Sequence, residues 1–182
     1  MSVLAVCASH TPLKDYYAPP APVQMEIDGC FERVRQQVAD FAPEVILILG
    51  PDHYNGFFYR LMPAFCIGAV TESIGDWNTP QGPLPGDPAL AEAAVAHAHR
   101  SGVDVAISHQ MEVDHGLTQT LQLIHPWETL PKVLPVFINC VAAPRPPLAR
   151  VVALGRALGE FVAGLGERVL IVGSGGISHD PP

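Results

Sequence analysis

Six short runs rich in apolar residues punctuate the chain: Val3 to Ala8, Glu44 to Gly50, Ala64 to Val70, Val103 to Ser108, Lys132 to Asn139 and Arg168 to Gly173. Most are continuously apolar rather than alternating, as expected of strands covered on both faces of a mainly parallel sheet. Between them the period lengthens. Ile27, Phe31, Val34, Val38 and Phe41 recur at steps of three and four, which predicts an amphipathic helix stopped by Pro43. Leu148, Val151, Leu154, Leu158, Phe161 and Leu165 repeat the pattern. A third helix opens with Asp87 as N-cap and Pro88 at its first position, then runs through alanines to Ser101 and Gly102. A shorter one starts at Asp114, carries Leu117, Leu121 and Ile124 on one face, and ends before Pro126. Strands alternating with helices predict an α/β fold, a three-layer α/β/α sandwich whose ligands bind at the carboxyl ends of the strands.

The segment from Thr71 to Gly86, rich in Gly, Pro, Thr and Asp, reads as a long ordered loop within one α/β domain spanning residues 1–182. The last strand is followed by a glycine-rich loop with no helix to cover that edge. The expectation is therefore the N-terminal part of a longer chain.

Composition narrows the function. Hydrophobic residues make up 48% and charged residues 15%, below the roughly 25% charge of an average soluble domain, which excludes a disordered chain. Ten Lys plus Arg against eighteen Asp plus Glu give a net charge of −8, with no basic cluster. Nucleic acid and anionic membrane surfaces are poor partners for such a chain. Every apolar stretch stops well short of the ~18 residues that span a bilayer, and the run from Val3 lacks the preceding positive charge of a secretion signal. A cytoplasmic protein is expected. Cys7, Cys30, Cys66 and Cys140 are widely spaced with no C-x-x-C pair, so they read as reduced packing residues.

Candidate chemistry lies with the histidines. His10, His53, His109 and His179 each follow a predicted strand by a few residues, and His115 stands at a helix start. His97 and His99 point about 200° apart on one helix and read as structural, as does His125 in a last helical turn. His109 has no neighbouring carboxylate or glycine loop. His10 and His53, from neighbouring strand ends, can converge on one metal, where two His and one carboxylate would leave open positions for substrate and oxygen. Asp52, Asp114 and Asp180 each adjoin a histidine, but adjacent residues of an extended chain point apart. They are better suited to orienting a ligand from behind than to binding the metal. Gly173-Ser174-Gly175-Gly176 lacks G-x-G-x-x-G spacing, and Val172 breaks the G-x-S-x-G pattern of a hydrolase serine. The glycines more plainly let the backbone pass close to a ligand beside His179.

Together, Ser9-His10-Thr11-Pro12, Pro51-Asp52-His53-Tyr54-Asn55-Gly56-Phe57-Phe58-Tyr59, Val113-Asp114-His115-Gly116, Leu134-Pro135-Val136-Phe137-Ile138-Asn139 and Gly173-Ser174-Gly175-Gly176-Ile177-Ser178-His179 resemble the class III extradiol ring-cleaving dioxygenases over the whole chain. The resemblance implies extradiol cleavage by O2 of a catechol of the 3-(2,3-dihydroxyphenyl)propionate or 2,3-dihydroxycinnamate type, in aromatic degradation. It implies Fe(2+) as cofactor, held by His10 and His53, with His115 as proton donor, His179 as proton acceptor, and Asp52 and Asp114 behind the ligands. It implies a third ligand, a glutamate beyond Pro182, and a homo-oligomer with no nucleic-acid or membrane partner. A zinc-dependent hydrolase on the same histidines, or a non-catalytic fragment or partner subunit, is the alternative.

Overall fold

The computed structural model describes residues 2–11, 16–53, 55–57 and 60–176. Its main sheet has six strands in the order β1 (Ser2–Ala8), β9 (Arg168–Ser174), β2 (Val45–Gly50), β8 (Lys132–Ile138), β3 (Phe65–Gly68) and β6 (Ala106–Ser108). The first four are mutually parallel; β3 runs antiparallel to β8, and β6 follows β3. Register sets the carboxyl ends of β1, β9 and β2 side by side, with Ala8 opposite Ser174 and Leu49 opposite Gly173.

Alternate residues of the central strands enter opposite cores, because side chains of a strand point to opposite faces. Val45, Leu47 and Val169 pack with Ala91, Ala94 and Ala98 of α2 (Pro88–Arg100) and with Leu154, Ala157 and Leu158 of α4 (Leu148–Ala163). Ile46, Ile48, Leu170 and Val172 meet Val38 of α1 (Ala21–Phe41) and Leu117, Leu121 and Ile124 of α3 (His115–Ile124). Two helices cover each face. This is the expected three-layer α/β/α sandwich, and each fully buried Leu or Ile stabilises it by roughly 1.5–3 kcal/mol.

The helix boundaries follow local chemistry. The Asp87 carboxylate accepts the Leu90 N–H at 3.1 Å, and Pro88 occupies the first turn of α2, where no backbone donor is needed. The first helix starts at Ala21, six residues before the apolar stripe, and ends at Phe41, with Ala42 as its C-cap in the left-handed region. His125, expected in a last helical turn, is instead the extended C-cap of α3, its Nδ1 2.9 Å from the Pro126 carbonyl. The strand expected from Val103 is shorter: only Ala106–Ser108 pairs, while Val103 and Val105 fill the core without laddering.

The expected loop from Thr71 to Gly86 is in part strand. It contributes β4 (Thr71–Ile74) and β5 (Gln81–Pro83) to a second sheet of order β5–β4–β7, completed by β7 (Met111–Val113). Apolar patterning misses β4 because its inward positions are polar: Thr71 and Ser73 are buried, and the Ser73 hydroxyl donates to the Pro80 carbonyl at 2.6 Å. Gly75, at φ 73°, makes the reversal; a Cβ there would lie 2.6 Å from that of Gln81. This small sheet carries Asp76 and Asp114 to the carboxyl edge of the main sheet.

Candidate metal centre

Among the described residues, three imidazoles meet where these elements converge. His10 follows β1, His53 follows β2, and His115 opens α3. The His10 ring stands edge-on to His53 and His115, at centroid distances of 5.2 and 5.8 Å, while His53 and His115 stack at 4.4 Å with 16° between their planes. His10 and His115 are buried and His53 is half-buried.

Close backbone approach makes the cluster possible. A Cβ on Gly116 would fall 2.9 Å from His53 Cε1, 2.9 Å from the Asp114 carboxylate and 3.0 Å from the Pro51 carbonyl. A Cβ on Gly50 would meet Leu117 at 2.8 Å. Glycine at both positions lets the first turn of α3 lie directly against the end of β2.

Each ring is fixed through Nδ1. Asp114 is the N-cap of α3, accepting the Gly116 N–H at 2.9 Å; it also accepts the backbone N–H of His53 at 2.7 Å, its Nδ1 at 3.2 Å and the Asn55 amide at 3.0 Å. Asp76, in the tight turn after β4, accepts the backbone N–H of His115 at 2.8 Å and lies 2.6 Å from its Nδ1. His10 Nδ1 lies 2.9 Å from the Ser174 hydroxyl at the end of β9. That hydroxyl donates its single proton to the Gly116 carbonyl and lies 2.8 Å from the Thr120 hydroxyl. Its proton being committed, Ser174 accepts from His10, so Nδ1 carries the hydrogen there too. Carboxylates accept only, and the same conclusion follows for neutral His53 and His115. In all three rings the lone pair is thereby assigned to Nε2, on the side away from these partners.

That donor set fits a first-row divalent metal, whose histidine ligands are oriented by a hydrogen bond at the other ring nitrogen. His53, Asp114 and His115 place potential ligand atoms within 4.8 Å of one another. Asp114 is already engaged by four hydrogen bonds, which suits it to orienting rather than binding.

Electrostatics reinforce the His53 arm. Burial lowers the His53 pKa, but the hydrogen bond and charge of Asp114, with smaller help from Asp52 and Asp76, leave it raised overall. Burial likewise raises Asp114, yet the hydrogen bonds and charge of His53, with Asn55, hold it down at about 2.

The remaining sequence candidates fall as follows. Asp52 is buried and accepts the Gly56 N–H at 2.8 Å, shaping the loop that carries His53. His179 and Asp180 lie outside the described residues. His97 lies against Phe161 with Glu160 at 3.9 Å, His99 meets the Val105 carbonyl at 2.8 Å, and His109 is exposed, all apart from the cluster. The carboxylate on the His115 ring is Asp76 rather than the adjacent Asp114, whose side chain turns back to His53. Asp76, Ser174, Thr120 and Gln119 escape sequence reasoning as site residues. Gln119 grips the backbone after His10, accepting the Thr11 N–H at 2.6 Å and donating to its carbonyl at 3.0 Å. Only Ser174 carried a signal, its place directly at a strand end.

Comparison with known proteins accords with this geometry. The family model described as the catalytic LigB subunit of aromatic ring-opening dioxygenase matches residues 4–182. Proteins named 2,3-dihydroxyphenylpropionate/2,3-dihydroxicinnamic acid 1,2-dioxygenase from Mycolicibacterium smegmatis and Azotobacter vinelandii are 50% and 48% identical over 182 residues. The namesake from Photorhabdus laumondii is 44% identical over the same length. All of this chain is covered, against 57–58% of each relative, so the chain spans somewhat over half their length. The crystal structure of an uncharacterized Escherichia coli K12 protein, 22% identical, shares the fold with a TM-score of 0.55 over 81% of this chain and 53% of its own. No helix of the described residues is long and apolar enough to cross a membrane. From the family match and these identities, the chain belongs to the LigB family of aromatic ring-opening dioxygenases.

Proposed function

We propose that this protein acts in extradiol cleavage of a catechol, 3-(2,3-dihydroxyphenyl)propionate or its 2,3-dihydroxycinnamate analogue, with O2 and Fe(II), giving a 2-hydroxy-6-oxo-dienedioate. The observation that carries the reading is the convergence of three imidazoles, each tied at Nδ1 by a separate partner. The substrate class comes from the names of the relatives. In this reading His10 and His53 hold the metal through Nε2. A metal such as Fe(II) held there would supply open positions for both catechol oxygens and for O2.

The protein side of the chemistry is proton handling. Chelation needs the catechol hydroxyls to lose protons, and ring opening needs a proton returned to a departing oxygen. Imidazole suits both tasks because its pKa lies near neutrality. His115, stacked on His53 and backed by Asp76, is assigned as donor, and His179, which follows the Gly173-Ser174-Gly175-Gly176 run in the sequence, as acceptor. Thr11 and Gln119 brace the loop leaving His10, and Asp52 and Asp114 brace His53. The reading includes a cytoplasmic homo-oligomer. Cysteines free of disulfides among the described residues favour the first, and exposed Leu148 and Val152 on α4 offer apolar surface for the second.

The test is anaerobic Fe(II) titration followed by O2 uptake with the catechol on the full-length enzyme. His10→Ala and His53→Ala should each abolish stoichiometric iron binding and O2 uptake. Full iron retention by both variants would sink the ligand assignment, and zinc-supported ester or amide hydrolysis without O2 uptake would replace the reaction.

A further inference from the structure

Asp76 devotes both carboxylate oxygens to one residue. Oδ1 accepts the backbone N–H of His115 at 2.8 Å, as any helix cap would, while Oδ2 lies 2.6 Å from its Nδ1. The second contact fixes the ring. The turn that presents Asp76 is itself held tightly: Thr79 donates to the Asp76 carbonyl through its N–H at 3.0 Å and its hydroxyl at 2.7 Å. Trp77 and Asn78 follow at φ 49° and 61°, two consecutive non-glycine residues in the left-handed region. Such backbone persists only where its surroundings impose it, and it concentrates at functional sites. Trp77 also stands edge-on to the His115 ring, with centroids 6.2 Å apart.

We propose that Asp76 is a positioning residue for proton transfer at His115, holding the imidazole as the Nδ1–H tautomer and so making Nε2 its proton-exchanging atom. The inference rests on the reading of His115 as a proton-transfer group. A carboxylate can only accept, so it selects one neutral tautomer; an amide in the same place presents a donor as well and removes that selection. Asp114 cannot substitute, since its oxygens are occupied by His53, Asn55 and Gly116.

The test uses Asp76→Asn, nearly isosteric with the native residue. Ring ¹⁵N chemical shifts of His115, measured on the metal-free chain at a pH where the ring is neutral, should report Nδ1–H in the native protein and a shift toward Nε2–H in the variant. In the full-length iron-loaded enzyme, kcat should fall about 10²-fold or more. KM should stay within about threefold, because the lost interaction acts on a chemical step rather than on binding. Iron content should be unchanged. A native His115 found as the Nε2–H tautomer overturns the proposal without any variant. So does native kcat in Asp76→Asn, or loss of iron from it, which would make His115 a metal ligand. Native turnover in His115→Gln would instead refute the underlying reading of His115, whatever Asp76→Asn shows.

Discussion

The two arms that orient the proposed iron ligands are built from different chemistry. His10 is held by a neutral relay in which its Nδ1 reaches Ser174, and Ser174 reaches Gly116 and Thr120. His53 is held by a buried carboxylate that also caps α3 and accepts a backbone N–H from the His53 loop. The neutral arm fixes one ring, whereas the charged arm fixes a ring, a loop and a helix end together. Damage to the charged arm should therefore spread into the fold, and damage to the neutral arm should stay at the metal.

The largest effect is expected from Asp114→Ala. It strips a partner from the N–H groups of His53 and Gly116, the His53 ring and the Asn55 amide, all at the edge of the core. Removing one member of a buried charged network costs about 3–5 kcal/mol. At ~2–4 °C per kcal/mol for a domain of this size, Tm should drop by roughly 6–20 °C, and iron affinity should fall as well. Calorimetry checks the first and anaerobic titration the second; a loss under ~1 kcal/mol would show that the carboxylate does not tie loop, ring and helix together.

Gly116→Ala tests the same arm by crowding. The added methyl meets His53 Cε1, the Asp114 carboxylate and the Pro51 carbonyl, two of which cannot retreat without breaking the cap or moving β2's exit. Overpacking of this kind costs typically 1–3 kcal/mol. The His53 ring should move first, with iron affinity lowered about 10- to 100-fold as for loss of an orienting partner. Native affinity in a correctly folded variant would mean that the ring tolerates displacement.

The difference between the arms also explains what was legible in the sequence. His10 and His53 announce themselves because each follows a long apolar run, and β1, β2 and β9 are fully patterned strands whose carboxyl ends must coincide in a parallel sheet. Asp114 was readable as a helix N-cap from the apolar spacing after it. Asp76 was not, because the segment around it alternates polar residues that bury hydroxyls rather than methyl groups, and Thr71 and Ser73 in β4 give no apolar signal. Nor could the sequence say which aspartate serves which histidine. Asp114 adjoins His115 in the chain yet grips the His53 ring, because a side chain that caps a helix folds back over its first turn toward the end of β2.

Acid should separate the arms in the metal-free chain. Asp114 is held at about 2 in the folded state, below its ordinary 3.8, so its contribution is fully present above the unfolded pKa and disappears as pH falls from ~4 toward 2. The contribution amounts to about 2 kcal/mol. His53 works in the opposite direction: its pKa is raised, so its stabilisation is present below the unfolded value of about 6.5 and is lost as pH rises through the higher folded one. Urea unfolding at a series of pH values should therefore show stability falling below pH ~4, and Asp114→Asn should flatten that limb. An unchanged acid limb in the variant would assign it to other carboxylates.

Ser174→Ala is the mildest break and the sharpest test of the neutral arm. The hydroxyl bridges His10, Thr120 and Gly116 from a buried position, and its loss leaves the His10 Nδ1–H and the Gly116 carbonyl each short of one partner. Unsatisfied neutral groups of this kind cost about 1–3 kcal/mol, less where a neighbour can adjust. Thr120 is such a neighbour: its hydroxyl lies 2.8 Å from that of Ser174 in the native fold and can reorient once that partner is gone. The fold should thus lose about 1 kcal/mol in urea titrations. With the Ser174 contact to the His10 ring gone, Fe(II) binding should weaken by about 10-fold. The ratio of the two effects is the decisive quantity. A stability loss matching that of Asp114→Ala, with iron affinity intact, would reverse the assignment of the two arms and make Ser174 a structural hub rather than an orienting group.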